Sequence, residues 1–94
     1  MGDFTAVQAE IVRVTDEIRD LLLAKNREYG NSALEPIGVF SCASVVEQIE
    51  TRIDDKLARI RATRRMAEVK IHEDTEADLI GYLVLLRVAR RLAP

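Results

Sequence analysis

The stretch from residue 4 to residue 21 reads FTAVQAEIVRVTDEIRDL, and it decides the fold class of this chain. Its apolar residues recur at alternating intervals of three and four: Phe4, Val7, Ile11, Val14, Ile18 and Leu21. An α-helix turns once every 3.6 residues, so this spacing places all of them on one stripe. We predict a first helix over Phe4 to Arg27, with Asp3 as its N-cap and Gly30 as its stop.

A second helix is predicted over Ser44 to Ala67. Ser44 and Glu47 have the spacing of a capping box, in which each side chain satisfies a free backbone N–H. The predicted apolar stripe consists of Val46, Ile49, Ile53, Leu57 and Ile60. Lys56 lies close to this stripe, so its ammonium group must reach water or find a partner.

A third helix is predicted over Thr75 to Leu92, capped by Asp74 or Thr75. Residues 79–86 read Leu-Ile-Gly-Tyr-Leu-Val-Leu-Leu. An amphipathic surface helix would show charged residues in such a run, so we expect this one to be buried on most sides, as a core helix.

A long loop separates the first two helices, from Glu28 to Ala43. Gly30, Asn31, Pro36 and Gly38 break regular structure there, and a loop of this length is usually functional or disordered. Its apolar residues predict that it folds back onto the helices: Leu34, Ile37, Val39 and Phe40. The connection Glu68 to Glu73 is read as a tight turn or a brief extended segment.

No segment alternates like a β-strand, so the predicted fold class is all-α, with three helices in one domain over residues 1–94. Three helices with this much apolar surface cannot cover one another. We expect a homo-oligomer, a dimer or a tetramer, in which helices of different chains complete a bundle. The alternative is a monomeric three-helix bundle capped by the long loop.

The amino-acid composition indicates which cellular location and which binding partners to expect. The net charge is only −2, so no overall field favours DNA or an anionic membrane. Asp3 and Glu10 interrupt any signal-peptide run, no stretch reaches the ~20 apolar residues of a membrane span, and the single Cys42 fits a reducing compartment. We expect a cytoplasmic protein without a membrane partner.

Several classes of site are disfavoured. The arginine cluster could touch nucleic acid, but it lacks interleaved aromatic residues, which argues against that partner; it consists of Arg59, Arg61, Arg64 and Arg65. His72 is the only histidine, so there is no Cys–His metal pattern. Glycine-rich phosphate loops and nucleophile elbows are also absent from the sequence.

Two acidic clusters could hold a metal: Glu47, Glu50, Asp54 and Asp55 on the second helix, and Glu73, Asp74, Glu76 and Asp78 at the start of the third. Asp74 and Asp78 are four apart and share a helix face. Asp78 lies in apolar surroundings, so it should meet a metal, Lys56 or an arginine. Carboxylates from two helices suit Mg²⁺. For Glu73 and Glu76 the better reading is the usual enrichment of acids at a helix start.

Basic and polar residues could contact the phosphate, base or sugar of a ligand. Arg52, Lys56 and Arg59 share one side of the second helix, either as a solvated face with local ion pairs or as a phosphate clamp. Residues 25–32 read Lys-Asn-Arg-Glu-Tyr-Gly-Asn-Ser. They form a polar turn at a helix end that could grip a base, a sugar or a phosphate.

Three motifs in order resemble a known family. They are Lys25-Asn26-x-x-Tyr29-Gly30-Asn31, then Arg52-x-x-Asp55-Lys56-x-x-Arg59-Ile60, then Glu73-Asp74-Thr75-x-x-Asp78-Leu79-x-Gly81-Tyr82. Over residues 21–88 the chain resembles the nucleotide modification associated domain 1 family of phage and bacterial proteins, which is similar to the all-α MazG-like nucleotide pyrophosphohydrolases.

The resemblance implies oligomerisation, a Mg²⁺ cofactor and a nucleoside triphosphate ligand, split between its α- and β-phosphates. It implies that the metal and catalytic residues are Asp55, Asp74 and Asp78, and that the nucleotide contacts are Lys25, Tyr29, Asn31, Arg52, Lys56, Arg59 and Tyr82. MazG-like enzymes carry Glu-x-x-Glu and Glu-x-x-Asp pairs, where this chain has Arg52-x-x-Asp55 and Thr75-x-x-Asp78. Fewer carboxylates predict weaker metal binding, so a role as an accessory in nucleotide modification stays open. A second hypothesis is a non-enzymatic helical adaptor, such as a phage protein that binds a host partner.

Overall fold

The computed structural model describes residues 4–36, 38–65 and 73–93, without the side chains of Arg65 and Glu73. It consists of three helices: α1 Phe4–Tyr29, α2 Val45–Arg65 and α3 Glu73–Leu92. No strand occurs in the described residues, so the all-α prediction is confirmed. None of these helices is long and apolar enough to cross a membrane.

Some predictions lie outside the described residues: the Asp3 cap, the end of α2 at Ala67, Ile37, His72 and the connection after Glu68. The predicted start of α3 was wrong. The helix begins at Glu73, so Asp74 and Thr75 lie in its first turn rather than at its cap. Acidic residues are tolerated there because the helix dipole favours negative charge at its N-terminus.

Gly30 ends α1 as predicted. Its φ of 66° lies in the left-handed region, which costs glycine little because it has no Cβ. The Asn26 side-chain amide donates to the Gly30 carbonyl at 3.2 Å. The chain divides after Gly30 into two compact units, one with α1 and one with the loop, α2 and α3.

The start of α2 is fixed by Ser44. Its hydroxyl accepts a hydrogen bond from the Glu47 backbone N–H at 3.1 Å and lies 3.1 Å from the Glu47 carboxylate, to which it donates. The capping-box pattern predicts the Ser44 backbone N–H as the donor to this carboxylate, and the hydroxyl takes that place. Gln48 adds a side-chain bond to the Ala43 carbonyl at 2.9 Å.

Replacing Ser44 with alanine is expected to destabilise the protein by about 1 kcal/mol, because a backbone N–H at the start of α2 loses its acceptor. Urea unfolding followed by circular dichroism would measure the change. Ser32→Ala is the matched control, since Ser32 is an exposed loop residue and should change stability by less than about 0.5 kcal/mol. Equal effects would contradict the assigned cap.

The core lies between α2 and α3. Ile49, Leu86 and Ala89 are buried, and a ring of partly buried residues packs against them: Leu34, Val45, Val46, Ile53, Tyr82 and Leu85. Leu34 comes from the loop, so part of that loop folds back as predicted. Val39 and Phe40 do not, since both side chains are exposed, Phe40 almost completely at 99%.

Two predictions about burial were wrong for the single chain. Leu57 is 49% exposed, and Lys56 lies in its place between Ile53 and Ile60, both partly buried. On α3, the run 79–86 is buried on one side only, because Ile80, Leu83 and Val84 are exposed. Leu83 and Val84 lie three and four residues after Ile80, so the three form a second apolar face that the α2–α3 unit itself leaves uncovered.

Candidate functional site

The most buried ion pair in the described residues joins α2 to α3. The Lys56 ammonium nitrogen lies 3.1 Å from Asp78 Oδ2, with the two side chains 13% and 30% exposed. The aliphatic stem of a lysine can lie along an apolar seam while its charge is compensated at the tip. This confirms that Lys56 finds a partner and that Asp78 meets a cation.

One turn away, Arg52 lies against Tyr82. The guanidinium carbon is 5.9 Å from the centre of the Tyr82 ring, within the range of a cation–π contact. Since Arg52 precedes Lys56 by four residues and Tyr82 follows Asp78 by four, the two contacts form neighbouring rungs between α2 and α3. In the part of the chain that the structure describes, Arg52 has no carboxylate partner.

The contact with Tyr82 leaves the Arg52 side chain exposed at the edge of the α2–α3 interface. A guanidinium carries its N–H donors in one plane, where they can match the oxygens of an anion. The site therefore presents an exposed guanidinium beside an ammonium group that pairs with one carboxylate.

Arg59, the third member of the basic row, behaves differently. Its Nε lies 3.3 Å from Asp55 Oδ2 within α2, and both side chains are more than half exposed. Such a pair contributes only about 0.3–0.5 kcal/mol. Of the two readings of the basic row, a solvated face describes Arg59, and an anion clamp remains available to Arg52 and Lys56.

The predicted carboxylate triad is not gathered by the described residues. Among them, no three side chains of Asp, Glu, His or Cys are arranged to hold a metal ion. Asp55 contacts Arg59, Asp78 contacts Lys56, and Asp74 is exposed one turn before Asp78. This donor set does not form a preformed metal cage.

The remaining predicted contacts lie around the end of α1. Lys25 and Tyr29 belong to the α1 unit, where Tyr29 is the exposed last residue of the helix. Asn31 opens the other unit, and its backbone carbonyl accepts from Leu34 N–H at 2.8 Å and Glu35 N–H at 2.7 Å. These bonds make a compact turn directly after Gly30.

Sequence reasoning missed a basic groove toward the other end of α3. It has a volume of about 500 Å³ and is lined by Leu83, Leu86, Arg87, Arg90 and Arg91. Arg90 approaches Glu50 of α2 at 4.0 Å. The sequence contained a pattern that could have predicted this groove, because positions 83, 87, 90 and 91 lie on one face of a helix. Basic residues in a last helical turn also complement the helix dipole, which suffices to explain them.

Comparison with protein-family models, with curated proteins and with solved structures gave no match. The resemblance to the nucleotide modification associated domain 1 family therefore stays a prediction that depends on the three motifs alone. Of those motifs, the second and third supply both rungs between α2 and α3.

Proposed function

We propose that this chain binds the phosphates of a nucleotide at the α2–α3 surface formed by Arg52, Lys56, Asp78 and Tyr82, called here the two-rung site. The observation that carries the proposal is Arg52, whose guanidinium carbon lies 5.9 Å from the centre of the Tyr82 ring without a carboxylate partner in the described residues. A guanidinium that no carboxylate neutralises can pair with an anionic ligand.

The two cations play different parts. Arg52 offers paired N–H donors that match two oxygens of one phosphate, and Lys56 supplies a compact charge. Asp78 holds Lys56 in place before the ligand arrives, because a partly buried lysine without a partner would be costly. A di- or triphosphate would bring enough negative charge to share Lys56 with Asp78.

Mg²⁺ would be held by Asp78 and Asp74, which project from one face of α3, together with oxygens of the ligand. When bound, it would offset phosphate charge and polarise a phosphoryl group. A cytoplasmic location, where nucleotides are plentiful, belongs to the same proposal.

Hydrolysis between the α- and β-phosphates is the activity that the family resemblance suggests. The test is to incubate the protein with a panel of nucleoside triphosphates and Mg²⁺ and to measure pyrophosphate and monophosphate. Asp78→Asn is expected to abolish product formation, and Asp54→Asn, an exposed acid on α2, is the control expected to leave it unchanged. If no nucleotide yields either product, the hydrolase proposal fails, and nucleotide binding is judged by its own measurement.

The second candidate function is a helical adaptor, because the described surface carries exposed apolar side chains such as Ile80, Leu83 and Phe40. In this function the exposed α3 face would contact the partner protein. An adaptor without a nucleotide ligand predicts that nucleotides leave the melting temperature unchanged. A ligand at 100 times its Kd would instead add about 2.7 kcal/mol of stability.

A further inference from the structure

The apolar stripe of α1 lies entirely on the surface of that unit. The helix is continuous from Phe4 to Tyr29 and buries no residue. Five residues of the stripe are between 38% and 78% exposed: Phe4, Val7, Ile11, Val14 and Leu21. They form a patch on the order of 500 Å², as large as the largest apolar patch on a typical monomer.

The spacing of this stripe is that of a coiled-coil seam. Intervals of three and four keep to a seven-residue repeat, with Phe4, Ile11 and Ile18 at position a and Val7, Val14 and Leu21 at position d. Two such seams, if fully covered, would together bury about 1,000 Å², which is the lower limit for a specific interface.

The two flanks of the seam differ in charge. Position g carries Glu10 and Glu17, whereas position e carries Gln8, Thr15 and Leu22. In a parallel pair each g flank faces the partner's e flank, so the acids meet uncharged side chains. In an antiparallel pair the g flanks face each other, and Glu10 of one chain would oppose Glu17 of the other. Repulsion between them disfavours that arrangement.

We infer that the α1 stripe pairs with α1 of a second copy of this chain as a parallel coiled coil. The seam is self-complementary, and its charge pattern selects the parallel orientation. This inference goes beyond the proposed nucleotide site and does not depend on it, since all residues of the two-rung site lie on α2 and α3.

The first test is the molar mass of the full chain by light scattering, for the wild type and two variants. Ile11 and Val12 are β-branched neighbours, each 56% exposed, but only Ile11 lies in the seam. We expect the wild type and Val12→Lys to have twice the mass of one chain and Ile11→Lys to have the mass of one chain. A monomeric wild type, or equal masses for both variants, would overturn the inference.

The second test is orientation, using Val7→Cys in a Cys42→Ser background. In a parallel pair the two cysteines share a layer and should form a disulfide in a glutathione buffer. In an antiparallel pair residue 7 would face residue 18 of the partner, which puts the two cysteines about 16 Å apart. Cross-linking of Val7→Cys with itself supports the parallel pair. If the Val7→Cys variant cross-links only when it is mixed with the Ile18→Cys variant, the parallel orientation is overturned.

Discussion

Replacing Ile49 with alanine is expected to remove most of the stability of the unit that contains α2 and α3. Ile49 is 1% exposed and is the largest fully buried side chain among the described residues. Truncating such a side chain leaves a cavity and costs about 2–5 kcal/mol. A unit of this size is stable by only roughly 3–10 kcal/mol in total, so one cavity takes a large share.

Urea unfolding followed by circular dichroism measures this loss. Leu57→Ala is the matched control, because Leu57 is an aliphatic residue of the same helix that is 49% exposed. It should lose about 1 kcal/mol or less, in proportion to the apolar area still buried. If both truncations cost the same, the packing of α2 on α3 through Ile49 would be wrong.

The second large effect is expected from Asp78→Ala. The variant leaves the Lys56 ammonium, which is 13% exposed, without its carboxylate. Removing one member of a fully buried pair costs about 3–5 kcal/mol. Solvent access to Asp78 reduces this, and we expect about 1–3 kcal/mol. Replacing both members with apolar residues, as Lys56→Met with Asp78→Leu, should restore the wild-type stability or exceed it.

The comparison of single and double variants isolates the pair. Asp55→Ala is the control, since the exposed pair of Asp55 with Arg59 should contribute no more than about 0.5 kcal/mol. If Asp78→Ala loses no more stability than Asp55→Ala, the role assigned to Asp78 as the partner of Lys56 is contradicted.

The helices could be predicted because their signals are local. The spacing from Phe4 to Leu21, the cap at Ser44 and the stop at Gly30 act within a few residues, and α1 and α2 begin within one residue of their predicted starts. A cation beside Asp78 could also be predicted, because a charge in apolar surroundings must be compensated, and Lys56 was one of the three candidates together with a metal and an arginine.

Which residues pack between α2 and α3 could not be predicted from the sequence. The helical spacing predicted that Leu57, rather than Lys56, lies in the interface. That prediction uses only the hydropathy of each residue and contains no information that Asp78 of α3 faces Lys56. Similarly, Phe40 and Leu83 were expected inside because they are apolar, but burial depends on which surfaces meet in three dimensions. The metal triad failed to form among the described residues for the same reason, since Asp55 pairs with Arg59 on its own helix.

The most direct measurement of the central claim is nucleotide binding by calorimetry in the presence of Mg²⁺. The wild type is compared with the double variant Lys56→Met with Asp78→Leu, after its urea unfolding has been compared with that of the wild type, so that loss of binding is not mistaken for loss of fold. Each charge-assisted hydrogen bond contributes about 1.5–3 kcal/mol, so affinity should fall by roughly 10- to 100-fold or more. Wild-type protein that binds no nucleoside triphosphate, or a double variant that binds as tightly, would contradict the assignment of a phosphate site to α2 and α3.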